Sequence, residues 1–259
     1  MRAQHKASMN TQSNADIITA AILVIGDEIL SGRTKDKNIG WIADHLTAIG
    51  IQLKEVRVVP DEEDEIVVAL NALRAKFTYV FTTGGIGPTH DDITSDCVAK
   101  AFGVNIDVDP RALALMKPYY DKRGLELTPA RLRMARLPET SELVENSVSV
   151  APGFMIGNVI VMAGVPHIMQ VMLTAVTPRL KTGSKMLSET IELARPEGEI
   201  AELLGNHQKE FPDVAMGSYP FGGSPGTWGT NLVLRSTNPE RLGTAFDGLR
   251  AKLTAAGKL

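Results

Sequence analysis

One stretch decides the fold of this chain: Val80-Phe81-Thr82-Thr83-Gly84-Gly85-Ile86-Gly87-Pro88-Thr89-His90-Asp91-Asp92-Ile93-Thr94. An apolar strand is predicted to end at Thr82, a glycine-rich loop follows, and a helix is predicted to begin near Thr94. Glycines leave backbone amides open to an anion, and amides beside a helix N-terminus form a phosphate-sized site. The pattern is equally typical of a plain turn between a strand and a helix. Asp91 and Asp92 favour the first interpretation, because paired carboxylates would repel a phosphate unless they hold a metal ion or handle a proton.

The composition excludes several classes of protein. The chain has 259 residues, of which 44% are hydrophobic and 22% charged, which is ordinary for a globular protein. Its net charge of −3 provides no general field for nucleic acid or an anionic membrane surface. The single cysteine, Cys97, excludes an intramolecular disulfide framework, and no apolar run is long enough to span a bilayer. We therefore expect a cytoplasmic protein that has neither nucleic acid nor a membrane as a partner.

Strands and helices are predicted to alternate in the first part of the chain. Residues 1–18 are polar and predict a mobile tail, in which His5 is a stray residue. Apolar runs at 19–25, 51–59 and 78–81 are each followed by a helical pattern. Three β-α repeats in sequence predict a parallel sheet with right-handed crossovers.

Polar residues and glycines follow the predicted strands. Gly26-Asp27-Glu28 comes after the first, Asp61 after the second, and Gly164-Val165-Pro166 after a later apolar run at 159–162. Ligands of open α/β sheets bind at the carboxyl ends of the strands, so these residues are candidates for a site. Ser31 either contacts a ligand or only turns the chain. The acidic run after Asp61 is typical of a helix N-terminus.

The pattern changes after a predicted linker at 181–184. The order β-α-β-β-α predicts a small α+β subdomain over 186–259, following a larger domain over 19–182. A hairpin-like loop at 220–229 has the flexibility of a binding loop, although a plain connector is the favoured interpretation. A helix is predicted over 128–136, and its arginines, Arg131, Arg133 and Arg136, are expected at solvent or subunit contacts rather than on a phosphate.

The motifs that carry a family resemblance are Gly26-Asp27-Glu28-Ile29-Leu30, Pro60-Asp61, the stretch Thr82–Thr94 and Gly164-Val165-Pro166. In this order they resemble the MoaB/Mog molybdopterin-binding domain, and within it the N-terminal domain of the CinA-type proteins. The resemblance implies a three-layer α/β/α sandwich, a homo-oligomer (a trimer, or else a dimer) and a ligand site at the strand C-termini. We expect a stand-alone module without the amidase domain that follows it in full-length CinA.

The resemblance also implies roles for individual residues. Asp61 and Asp92 match the two aspartates of the molybdopterin adenylyltransferases and are the candidate catalytic residues. Glu28, Asp91 and Asp92 are candidate ligands for a divalent metal, magnesium or similar. The candidate residues for contact with the phosphorylated ligand are Gly26, Asp27, Ser31, Thr83, Gly84, Gly85, Gly87, Pro88, Thr89, Thr94, Gly164, Val165 and Pro166.

Four functions remain open at this stage. The first is a binding module for molybdopterin or a nucleotide, with the glycine loop as phosphate cradle and a carboxylate-held metal. The second is a metal-dependent pyrophosphatase for ADP-ribose-like dinucleotides, which the surplus of carboxylates favours. The third is molybdopterin adenylylation in molybdenum cofactor biosynthesis, and the fourth is a non-catalytic oligomeric module.

Overall fold

A computed structural model describes residues 17–224 and 227–259. Most of the predicted tail, including His5, therefore lies outside the described residues, while Ile18 opens the first strand. The chain divides into two compact units, of which the first ends at Gly183 and the second spans Ser184–Leu259. Within the described residues, no helix combines the length and the apolar character needed to cross a bilayer.

The first unit is built on a six-stranded sheet in the order β2-β1-β3-β8-β7-β6. Strands β2, β1, β3 and β8 are parallel neighbours, whereas β7 and β6 continue the sheet antiparallel. A separate antiparallel pair is formed by β4 and β5. The elements of this unit are β1 (Ile18–Ile25), α1 (Asp27–Leu30), α2 (Asn38–Ala48), β2 (Ile51–Val59), α3 (Glu63–Lys76), β3 (Tyr79–Thr83), α4 (Thr94–Phe102), β4 (Ile106–Val108), α5 (Pro110–Asp121), α6 (Pro129–Leu132), β5 (Arg136–Pro138), β6 (Glu142–Val144), β7 (Gly153–Ile156), β8 (Val159–Met162) and α7 (Pro166–Val176).

Helices cover both faces of this sheet, because its central strands alternate between two apolar faces. Ala21 and Leu23 of β1 belong to a core that also contains residues of α3, α4 and α5. Ile22 and Val24, pointing the other way, belong to a core completed by α2 and α7. Central strands buried on both faces produce the continuous apolar runs of the sequence. The predicted mostly parallel, three-layer α/β/α sandwich is confirmed.

The second unit is a three-stranded antiparallel sheet in the order β10-β11-β9 with two helices. Its core joins Leu232 and Leu234 of the central strand to Leu249 and Leu253 of the last helix. This confirms the predicted small α+β subdomain. Its elements are β9 (Leu187–Leu193), α8 (Ala201–Glu210), β10 (Ala215–Ser224), β11 (Thr227–Ser236) and α9 (Pro239–Ala255).

Two local predictions were wrong. The predicted loop at 220–229 is mostly strand, since β10 runs to Ser224 and pairs across to β11 from Thr227. Pro220 fits because β10 is an edge strand of its sheet, and the pairing shifts register between Gly222 and Ser224. The predicted helix at 128–136 is shorter: α6 ends at Leu132 and the chain is already a strand at Arg136.

Candidate functional site

The carboxyl ends of the parallel strands meet at one edge of the first sheet. Gly26 follows β1, Asp61 follows β2, Gly84 follows β3 and Gly164 follows β8. Together they border a cleft of about 530 Å³. Besides these four, the predicted site residues that line this cleft are Glu28, Gly85, Gly87, Pro88, Asp91, Asp92, Val165 and Pro166.

The glycine loop leaves no room for side chains at its first two positions. A Cβ atom on Gly84 would lie 2.1 Å from the carbonyl oxygen of Ile25, and one on Gly85 would lie 2.1 Å from Oγ1 of Thr94. Both glycines have left-handed φ angles, 104° and 66°. The backbone of the loop is therefore exposed to the cleft without any side chain over it, as an anion cradle requires.

Thr94 holds this loop rather than lining the cleft. Its hydroxyl donates to the carbonyl oxygen of Gly84 at 3.0 Å, and its amide donates to the carbonyl oxygen of Gly85 at 3.0 Å. The side chain is fully buried. Thr94 thus fixes the loop conformation at the start of α4, although the sequence predicted it as a ligand contact.

A second contact braces the loop from the β8 side. Gly164 lies so close to the loop that a Cβ on it would be 3.2 Å from Cα of Gly84. The amide of Gly84 donates to the carbonyl oxygen of Met162 at 3.2 Å. Asn38, at the start of α2, donates through Nδ2 to the carbonyl oxygen of Gly164 at 2.8 Å. Three distant parts of the chain therefore position the cradle.

Asp61 is the half-buried carboxylate of the cleft. Its Oδ2 atom accepts a hydrogen bond of 2.9 Å from the backbone amide of Asp27. Burial raises the pKa of Asp61, the Asp27 amide opposes this rise, and the charges of Asp27, Glu28 and Asp91 add to it. A carboxylate with a raised pKa and one oxygen still open is suited to take up a proton.

Asp92 is held by its own loop. Its Oδ2 atom accepts hydrogen bonds from the amide of Thr89 at 2.8 Å and from the Thr89 hydroxyl at 2.5 Å. Nη2 of Arg133 donates to the backbone carbonyl of Asp92 at 3.2 Å. Arg136, from the same arginine group, pairs with Asp96 at 2.8 Å. Arg133 therefore contacts the glycine loop and Arg136 contacts α4, while Arg131 donates to the carbonyl oxygen of Glu126. All three arginines are partly exposed, and the expected subunit contacts stay a prediction.

The carboxylates of the cleft are ligands of the kind that divalent cations prefer. Glu28, Asp61, Asp91 and Asp92 line one cleft, and hard oxygen donors suit Mg²⁺. Within residues 17–224 and 227–259, no three His, Cys, Asp or Glu side chains are grouped closely enough to hold an ion on their own. Mg²⁺ is commonly bound by one or two carboxylates plus phosphate oxygens of a ligand, and the cleft fits this ligand-dependent mode.

Five predicted ligand residues do not line the cleft: Asp27, Ser31, Thr83, Thr89 and Thr94. Asp27 and Thr89 instead hold Asp61 and Asp92 by hydrogen bonds. Ser31 is exposed on the segment between α1 and α2. Thr83 lines a smaller neighbouring pocket of about 220 Å³, which we call the side pocket. It is lined by Val24, Ile25, Glu28, Ile29, Thr34, Lys35, Asp36, Lys37, Asn38, Thr83, Gly84, Gly164 and Pro166.

One wall of the cleft was missed by the sequence prediction. Asn146, Ser149 and Ala151 line it from the connection between β6 and β7. The buried Asn146 side chain donates to the Ser149 hydroxyl at 2.7 Å and to the Ala151 carbonyl at 2.9 Å. It also accepts from the amides of Val148 and Ser149. This turn holds Val150 at a left-handed φ of 62°. The sequence signal that could have indicated this turn is an Asn followed by a Ser three residues later.

Comparisons with known proteins agree with this architecture. A family model described as "Probable molybdopterin binding domain" matches residues 21–182, and one described as "FAD synthase, middle domain" matches residues 185–258. A protein of Pyrobaculum arsenaticum is 36% identical over 212 residues, which cover 78% of this chain and 80% of the relative. A CinA-like protein of Desulfosudis oleivorans is 35% identical over 209 residues, 76% of this chain and 51% of the relative. The crystal structure of CinA, of unknown function, from Thermoplasma acidophilum matches with a TM-score of 0.58 and 37% identity, covering 63% of this chain and 98% of that one.

Proposed function

Because this chain belongs to the MoaB/Mog family of molybdopterin-binding domains and has CinA-like relatives, we propose that its cleft binds a phosphorylated pterin or nucleotide together with a divalent cation. The observation that carries the proposal is the glycine loop. At Gly84 and Gly85 no side chain covers the backbone, and both residues line a cleft that four carboxylates also line. Such a loop gives a phosphate its hydrogen-bond donors, and the carboxylates account for a cation beside it.

Each residue has a separate task in this proposal. Gly85 contacts the phosphate through its backbone amide, whereas the amide of Gly84 is committed to the carbonyl oxygen of Met162. Thr94 and Gly164 keep the loop backbone in place. Glu28, Asp91 and Asp92 would hold the cation, which supplies neutralisation of the phosphate charge. Asp61 would orient the ligand or accept a proton from it, since its pKa is raised.

Ligand-induced thermal stabilisation tests the binding function. ADP-ribose, AMP and a pterin phosphate are each added with and without Mg²⁺, and the melting temperature is recorded. We expect at least one of them to raise it, and Mg²⁺ to increase the effect. Gly85→Asp should abolish the stabilisation, because its side chain would collide with the buried Oγ1 of Thr94 and displace the backbone of the glycine loop. Asp92→Asn, which leaves the loop glycines unchanged, should abolish only the increment due to Mg²⁺. A wild-type protein whose melting temperature responds to none of these ligands would contradict the proposal.

A second candidate function is hydrolysis of ADP-ribose-like pyrophosphates. The observation that favours it is the grouping of Asp61 with Glu28, Asp91 and Asp92 around one cleft, more acidic groups than phosphate binding alone requires. The test is release of AMP from ADP-ribose in the presence of Mg²⁺ or Mn²⁺. The activity should be lost in Asp92→Asn and kept in Asp44→Asn, a change on the exposed side of α2. Binding of ADP-ribose without any AMP release across several metals would exclude the hydrolase and leave the binding function.

A further inference from the structure

Strand β2 is an open edge of the first sheet. It is the terminal strand in the order β2-β1-β3-β8-β7-β6 and has nine residues, Ile51–Val59. Within residues 17–224 and 227–259, the backbone of residues 52–58 makes hydrogen bonds only along the ladder with β1. A long edge strand of this kind is a template for another strand, unlike the three-residue β6 at the opposite edge.

The direction of the free backbone groups follows from Val59. Its carbonyl oxygen accepts a hydrogen bond of 3.2 Å from the amide of Gly26, on the β1 side. Backbone groups of successive residues in a strand point to opposite sides, so the amides and carbonyls of Val56 and Val58 point to the free edge. The side chains of these two valines are 38% and 36% exposed. The edge therefore offers hydrogen bonds and apolar surface to an added strand.

Charged side chains alternate with the valines on this edge. Glu55 and Arg57 lie on the α3 face of the sheet, where Nε of Arg57 donates to Oε1 of Glu55 at 2.6 Å. Nζ of Lys76, the last residue of α3, donates to Oε2 of Glu55 at 2.9 Å. Charges on an edge strand disfavour most added strands, because an unrelated strand leaves them opposite apolar or like-charged residues.

A copy of the same strand matches these charges in one register. Antiparallel pairing about a two-fold axis normal to the sheet keeps each face continuous, so odd positions lie opposite odd ones and even positions opposite even ones. With the axis through Val56, Glu55 lies opposite Arg57 of the partner subunit, and Arg57 lies opposite Glu55 of the partner subunit. An axis through Glu55 or Arg57 would instead place two glutamates or two arginines opposite each other. The Val56 register alone pairs opposite charges, and it does so twice.

We propose that β2 is the contact between two copies of this chain, which pair antiparallel about a two-fold axis through Val56 and continue one sheet through both subunits. The partner is a second copy because the charges of the strand are self-complementary, as a two-fold interface requires. On the other face, Val56 lies against Val56 of the partner subunit, which removes exposed apolar surface from water. The pairing makes no use of the cleft, so it is independent of the proposed binding function.

Light scattering after gel filtration, together with sedimentation velocity over a range of protein concentrations, tests the inference. We expect the wild-type protein to have twice the molar mass of Glu55→Arg and of Arg57→Glu, because each reversal places like charges opposite each other at two positions. The dissociation constant of the pair should rise about tenfold or more in either variant. Lys54→Glu is the matched control: it reverses an exposed charge on the same strand, opposite Val58 of the partner subunit in this register, and should leave the molar mass unchanged.

Mixing the two variants separates a contact between subunits from a loss of folding. In a mixed pair the new arginine of one subunit faces the new glutamate of the other, and the native Arg57 and Glu55 face each other. The mixture should therefore recover the wild-type mass, as should the double variant Glu55→Arg/Arg57→Glu.

Three results would overturn the inference. They are a wild-type protein that is a monomer at every concentration, an assembly whose mass neither reversal changes, and a mixture of cooperatively melting variants that does not regain the wild-type mass. If a reversal unfolds the chain, Val56→Lys takes its place, since it changes an exposed side chain and puts two lysines opposite each other on the axis. Folded Val56→Lys protein with the wild-type mass would equally overturn the inference.

Discussion

Oδ2 of Asp61 accepts a hydrogen bond of 2.9 Å from the backbone amide of Asp27, across 34 positions of sequence. The contact joins the end of β2 to the start of α1, at the edge where the parallel strands end. It also changes the interpretation of Asp27, since the residue contributes through its amide and its carboxylate stays exposed. Asp61 is thus placed by the fold before any ligand is present.

The raised pKa of Asp61 predicts how stability depends on pH. Between the ordinary value of 3.8 and the raised value, the folded protein binds more protons than the unfolded chain, so the free energy of unfolding falls as pH rises through this window. Asp61→Asn has no such titration. Relative to that variant, the wild-type protein should lose stability as pH rises from 3.8 towards neutrality. Urea denaturation at several pH values measures the difference.

The control for this experiment is Asp44→Asn, which removes an exposed carboxylate from α2. The difference in unfolding free energy between this variant and the wild-type protein should be the same at every pH. If the difference for Asp61→Asn is also the same at every pH, burial of Asp61 does not affect its ionisation.

Gly85 and Gly103 form a matched pair for measuring the steric demand of the glycine loop. Both have a φ of 66°, so an alanine pays the same backbone strain of about 1 kcal/mol at either position. A Cβ on Gly103 meets nothing within 4 Å, whereas one on Gly85 would lie 2.1 Å from Oγ1 of Thr94. Gly85→Ala should therefore cost several kcal/mol more in unfolding free energy than Gly103→Ala, by overpacking. Equal costs would show that the loop adapts around Thr94.

Alanine variants of Asn146 and Asn158 test whether the turn at 146–151 forms a wall of the binding site. Asn146→Ala removes four hydrogen bonds of the turn at 146–151 and should lower the free energy of unfolding by about 2–3 kcal/mol. Asn158→Ala removes two bonds to the carbonyl oxygens of Arg74 and Phe77, in the turn between β7 and β8. Both variants should be less stable, but only Asn146→Ala should weaken binding of ADP-ribose. Equal binding by both would exclude this wall from the site.

The burial of Cys97 predicts that the folded protein reacts slowly with thiol reagents. Its side chain is fully buried, and burial raises the pKa of the thiol to about 12, so the reactive thiolate is scarce. Labelling with a disulfide reagent at pH 8 should follow the fraction of unfolded protein as urea is added. Rapid labelling without urea would show that α4 opens locally.

The part of the site that was predictable lies at strand ends. Gly84, Gly85 and Asp61 were identified because a repeated β-α pattern places the residues after each strand at one edge. The positions of Asn146 and Ser149 were not, because short strands flank them and only tertiary contacts decide where their turn lies. The ion pair of Arg136 with Asp96 was not predictable either, because the two residues lie 40 positions apart in the sequence.

The direction in which side chains point was also beyond the sequence. Thr83 was predicted as a contact in the main site, but strand geometry turns alternate residues to opposite faces, and Thr83 lines the side pocket. Thr94 was predicted as a ligand contact and lies buried under the loop. Spacing identifies which residues gather at an edge, while the register of the sheet decides which of them face the opening.

The bond from Asn38 to Gly164 joins residues 126 positions apart, and Gly84 packs against the second of them. A chain emerging from the ribosome can pair β1 with β3 while the residues around Gly164 are still being synthesised. The anion cradle is then missing one of its supports. Under the proposed binding function, a product truncated before β8 should gain no protection from ligand, so ligand protection would separate finished molecules of the first unit from unfinished ones.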